Sequence, residues 1–119
     1  MTSKIRPEVD FEIADQSFRV TLSFAVITRT FEKFGVKLTE AYNHRSQMDY
    51  EDMARFLYAL LCANDEKGKS PLTVSEIGDG LVFIGWPASL TMVAEIFGDM
   101  VLGGTKDNAP KDAAKPEKK

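Results

Sequence analysis

Reactive side chains are scarce in this 119-residue chain: His44 is its one histidine and Cys62 its one cysteine. A zinc site draws three or four ligands from Cys, His and carboxylates, so one of ordinary composition cannot be assembled within a single chain. A Cys/His pair for nucleophilic catalysis stays open on composition alone, since it needs only a thiolate beside an imidazole. Position argues against it. Cys62 follows Leu60 and Leu61 in an apolar helical pattern, where a buried thiol is expected, and His44 lies in the polar turn "NHRSQ".

Two further patterns resemble chemistry and dissolve on inspection. Gly68, Lys69 and Ser70 match the end of a phosphate-binding loop, but the motif needs a glycine five residues earlier, where Ala63 stands, and a helix immediately after, where Pro71 stands. Asp49, Glu51 and Asp52 would make an acidic metal cluster, yet acids gather at helix N-termini for electrostatic reasons. Neither a cofactor nor a metal site is expected, and an enzyme would need converging polar groups that the chain does not supply.

The elements that would position any site begin with a hairpin. Val9, Phe11 and Ile13 alternate with acids, and Phe18, Val20 and Leu22 alternate with Arg19 and Thr21, the period of half-buried strands. With a turn at residues 14–17, Ile13 faces Phe18, Phe11 faces Val20, Val9 faces Leu22 and Glu12 faces Arg19. After Leu22 the period becomes helical: Phe24, Ile27, Phe31 and Phe34 form a stripe expected in the core, with Ser23 as cap and Gly35 as stop. A short turn over residues 39–43 precedes the helix "YEDMARFLYALLCAN", capped by Asp49. Thr73 with Glu76 fits a capping box before a weaker segment around Ile77 and Leu81, and Pro87 opens a last helix running to about Leu102. The expected fold class is α+β, an N-terminal β-hairpin followed by a small bundle of about four helices. Residues 1–104 form one domain in this reading, and residues 105–119, without a large apolar side chain, a disordered basic tail.

The last helix carries more apolar positions than one core face needs. Leu90, Val93, Phe97 and Val101 make one stripe, and Met92, Ile96 and Met100 make a second. Such a helix is either central in a bundle or presents a face to another chain. Methionine adapts to irregular partners and tryptophan anchors interfaces, so Trp86, Met92, Ile96 and Met100 are the candidate partner-binding residues.

Charge narrows the partner class. Formal net charge is −3; residues 1–102 hold 10 Lys and Arg against 15 Asp and Glu, and residues 103–119 hold 5 against 3. An acidic body gives no general attraction to nucleic acid or anionic membranes, so the expected partner is protein. The N-terminus "MTSKIRPEVDF" lacks a signal-peptide apolar region, no run approaches the roughly 20 apolar residues of a membrane span, and a single cysteine fits a reducing cytoplasm.

The order of these features resembles the tail assembly chaperones of long-tailed phages and, most of all, of gene transfer agents. The resemblance is carried by a strand running directly into "SFAVITRTFEKFG" with Phe31, Glu32 and Gly35, and by the later Thr73, Glu76, Ile77 and Gly78. It covers roughly residues 8–104. It implies a non-catalytic protein of the producing cell's cytoplasm that binds and solubilises the tape measure protein, helps recruit tail tube subunits and is absent from the finished particle. The candidate face would then hold the tape measure protein or a second copy of the chain as a homo-oligomer. A head-tail connector or another small virion component is the nearest alternative.

Overall fold

The computed structural model describes residues 8–102, which form an α+β fold. The expected tail at 105–119 and the domain limit at 104 lie outside the described residues. Strands β1 (Glu8–Ile13) and β2 (Gln16–Thr21) pair antiparallel. The helices are α1 (Phe24–Phe34), α2 (Leu38–Asn43), α3 (Tyr50–Asn64), α4 (Val74–Ile84) and α5 (Trp86–Leu102), with a 3₁₀ turn over Arg45–Gln47. Five helices stand where about four were expected, because residues 39–43, read as a turn, belong to α2.

The hairpin forms with a register two residues from the expected one. Ala14 and Asp15 alone make the turn, at φ 56° and 62°, so Ile13 faces Gln16, Phe11 faces Phe18, and Val9 faces Val20. Two left-handed residues are the signature of a type I′ turn, whose twist matches that of the strands. A shift of two preserves both faces. Val9, Phe11, Ile13 and Val20 are still buried, and Arg19 now meets Asp10 rather than Glu12. That pair is bidentate, with Nε 2.8 Å from Oδ1 and Nη2 3.1 Å from Oδ2.

Helix α1 starts as its sequence dictates. Ser23 Oγ accepts from Val26 N–H, and Gly35 at φ 85° donates to the Phe31 carbonyl. Its Phe stripe is corrected at one end: Phe24 is 86% exposed, while Val26 and Thr30 are buried and Ile27, Phe31 and Phe34 are half-buried. The reason is tertiary. The helix packs principally on α3, and the face it buries is that of Val26 and Thr30, turned away from Phe24. Phe31 and Phe34 lie 5.8 and 5.7 Å from Phe56 of α3, and Phe56 stacks on Phe97 of α5 at 4.5 Å. Four rings thus tie three helices together, each contact adding to the burial itself.

Helix α3 is the hub, buried along most of its length from Met53 to Ala63. Asp49 and Asp52 form a capping box at its start, so the acidic run is a helix beginning. The loop "NDEKGKS" closes on itself: Asp65 Oδ2 accepts from the N–H groups of Lys67 and Lys69 at 2.9 and 3.1 Å. Thr73 and Glu76 make the second capping box and start α4. Gly85, at φ 95° and ψ 154°, a conformation open essentially to glycine alone, then bends the chain by 118° into α5. Ser89, fully buried, secures the bend by donating from Oγ to the Leu81 carbonyl at 3.0 Å.

Candidate functional site

Three of the four residues singled out for a partner belong to the body of the protein instead. Ile96 is 1% and Met100 7% exposed, and Met92 is half-buried against the core. This corrects the exposed-stripe reading. Helix α5 is wrapped by α4 and α3, by β1 and by the 3₁₀ turn, so its apolar stripes find neighbours within the chain except at Val101, which is 44% exposed. Of the two readings of an over-apolar helix, the central position holds.

Trp86 has a dual role. Its indole Nε1–H donates to the Met48 carbonyl at 3.0 Å, fixing the start of α5 to the entrance of α3, yet the residue is 41% exposed. It joins a run of exposed apolar side chains just before it. Phe83 is 88% exposed, with Val82 and Ile84 beside it at the end of α4. These four form an apolar corner where α4 turns into α5. The sequence held a signal for it: Leu81, Val82, Phe83 and Ile84 are consecutive, and a helix packing one face cannot bury four consecutive residues. Leu81 takes the core position and the next three fall outside it.

Beside the corner an open groove of about 670 Å³ runs between the hairpin turn and α4. Ile13, Leu72 and Gly80 make its buried floor, and Phe83 and Ile84 close one end. Glu12, Asp15, Glu76 and Asp79 stand along its rim, and among the described residues no Lys or Arg lines it. Gly80 makes the close approach of turn and helix geometrically feasible: a Cβ placed on it would lie 2.6 Å from Ile13 Cγ2 and 3.1 Å from the Ala14 nitrogen.

The residues with chemical potential lie apart from the corner. Cys62 is buried on α3, and its pairing with the Tyr58 hydroxyl holds that phenol above its ordinary pKa, reinforced by the repulsion two anions would feel. His44 is exposed at the end of α2. Gly68 turns the α3–α4 loop at φ 75° and presents no helix N-terminus to a phosphate. Among the described residues no group of three or more His, Cys, Asp or Glu is placed to hold a metal ion, and no single helix is long and apolar enough to cross a membrane. Compared with protein-family models, curated proteins and solved structures, the chain gives no match.

Proposed function

We propose that this chain is a non-catalytic tail assembly chaperone of a phage or gene transfer agent, which binds the tape measure protein, keeps it soluble and helps bring tail tube subunits to it. The sequence resemblance supplies the family, and the observation that carries the reading to a surface is the apolar corner of Val82, Phe83, Ile84 and Trp86. A chaperone for an aggregation-prone helical rod needs exposed apolar side chains on a soluble body. Contiguous exposed apolar surface on a small protein marks an interaction site. The bend at Gly85 and the Trp86–Met48 hydrogen bond hold this corner on a rigid part of the fold. An interface that combines a rigid tryptophan with a projecting phenylalanine has the residue types that dominate binding energy.

The test is co-expression with a tape measure protein from the same phage or gene transfer agent. Phe83→Ser should leave the chaperone folded and drop the tape measure protein into the insoluble fraction, with loss of assembled tails. A folded Phe83→Ser variant that still supports full solubility and tail assembly would remove the corner from the reading. Stoichiometric recovery of the chain in purified particles would replace the chaperone by a virion component such as a head-tail connector.

A further inference from the structure

We infer that the groove between the hairpin turn and α4 is a docking site for an amphipathic helix whose apolar stripe is flanked by Lys and Arg. The inference rests on the chaperone reading for the identity of the partner but not for the chemistry of the groove. Glu76, Asp79, Gly80, Phe83 and Ile84 follow the spacing i, i+3, i+4, i+7 and i+8, so they form one face of α4. All five line the groove. A second helix laid along that face meets carboxylates at the N-terminal end of α4 and apolar side chains at its C-terminal end. The hairpin turn supplies the opposite wall, where Asp15 and Glu12 add two more carboxylates above the apolar floor of Ile13 and Leu72.

Charge selects the occupant. Four acids, with no lining Lys or Arg among the described residues, repel a second copy of this acidic body and attract a basic segment. The chain's own residues 103–119 are basic, but they carry no large apolar side chain to cover Leu72, Phe83 and Ile84. A partner segment needs both properties. Asp15 and Asp79 are exposed and have no side-chain hydrogen bond or ion pair among the described residues, so their charge is available to a ligand. Glu76 and Glu12 are already engaged with the Thr73 N–H and the Ser17 hydroxyl.

Two capped synthetic peptides of about 18 residues, long enough to form a helix, serve as probes. One has a Leu stripe flanked by Lys, the other the same stripe flanked by Glu. The Lys peptide should bind the full chain, shift the amide resonances of Gly80 and Phe83, and lose affinity as salt rises; the Glu peptide should not bind. Asp15→Asn with Asp79→Asn, which removes two unpartnered charges without touching the core, should weaken binding about tenfold. Equal binding of the two peptides, full affinity in the double variant, or resonance shifts confined to another face would each overturn the inference. Binding of the Lys peptide in the groove, together with failure of the chain to solubilise the tape measure protein, would leave the groove assignment standing and remove the chaperone reading. The reverse pair of results would do the opposite.

Discussion

The side-chain amide of Asn64 pairs with both backbone groups of Thr21: Oδ1 accepts from the Thr21 N–H at 2.9 Å, and Nδ2 donates to the Thr21 carbonyl at 3.4 Å. In the antiparallel ladder Thr21 opposite Glu8 is a non-hydrogen-bonded position, so its N–H and C=O point away from β1. Asn64 thus stands in for a third strand at the end of β2 and fastens the hairpin to the last turn of α3. Replacing it by Ala strands two partly buried backbone groups. Asn64→Ala should cost about 1–3 kcal/mol in urea unfolding, and amide exchange should accelerate at Thr21 more than at residues of α3. Uniform acceleration across both elements would show that the amide acts only through global stability.

A second prediction separates core from surface on the two C-terminal helices. Ile96 is sealed within the bundle, so Ile96→Asp buries a carboxylate without a partner and should unfold the protein or destabilise it by several kcal/mol. Phe83→Ser removes an almost fully exposed ring and should change the melting temperature little. Circular dichroism melts of the two variants check the contrast. A folded Ile96→Asp protein of wild-type stability would restore the stripe of Met92, Ile96 and Met100 as a surface.

Local signals were readable in the sequence and long-range ones were not. Ser23, Asp49, and Thr73 with Glu76 announce helix starts because the cap and its N–H partner are three residues apart, and all three starts form. The buried face of the hairpin was readable from period alone. Its register was not, because Ala14–Asp15 lacks the Asn-Gly or Asp-Gly pair that marks a two-residue turn. The second stripe of α5 became core because elements distant in sequence, α3, β1 and the 3₁₀ turn, pack on this helix along with α4. Phe24 escaped the core because the buried positions of α1 are Val26 and Thr30, whose face of the helix is turned away from it. The apolar corner lay in the run from Leu81 to Ile84, and the rim acids of the groove gather only once the hairpin turn meets α4.

Two aspartates should titrate on opposite sides of the ordinary value. The hydrogen bond from Arg19 lowers the pKa of Asp10, while desolvation at the start of α3, with the neighbouring charge of Asp49, raises that of Asp52. The consequences for stability have opposite signs. Asp10 stabilises the fold above its unfolded pKa, and that contribution disappears as pH falls through its lowered folded value. Asp52 is disfavoured in its charged form, so its penalty is present at neutral pH and is relieved as pH falls through its raised folded value. Carboxylate NMR titration should therefore place the Asp10 midpoint below and the Asp52 midpoint above that of an unstructured aspartate. Asp52→Asn keeps an acceptor for the Asp49 N–H and should flatten the Asp52 part of the pH profile; an unchanged profile would mean that the charge of Asp52 is as well solvated in the fold as outside it.

Gly78 and Gly80 sit two residues apart on α4 and should respond to alanine in opposite directions. A Cβ on Gly78 would lie 3.9 Å from the Ala54 Cβ, an ordinary van der Waals contact, so Gly78→Ala gains helix propensity and should stabilise the protein by up to about 1 kcal/mol. A Cβ on Gly80 would lie 2.6 Å from Ile13 Cγ2 and 3.1 Å from the Ala14 nitrogen, and the latter is backbone in a tight turn. Relief would require the turn to move off α4 or Ile13 to leave its fully buried site. Overpacking of this kind costs about 1–3 kcal/mol, enough to outweigh the propensity gain. Gly80→Ala should therefore lower the urea midpoint and shift the amide resonances of Ile13, Ala14 and Asp15, which form one wall of the groove. If both substitutions stabilise to the same extent, the hairpin turn is free to move away from α4, and the groove it bounds with that helix has no fixed width.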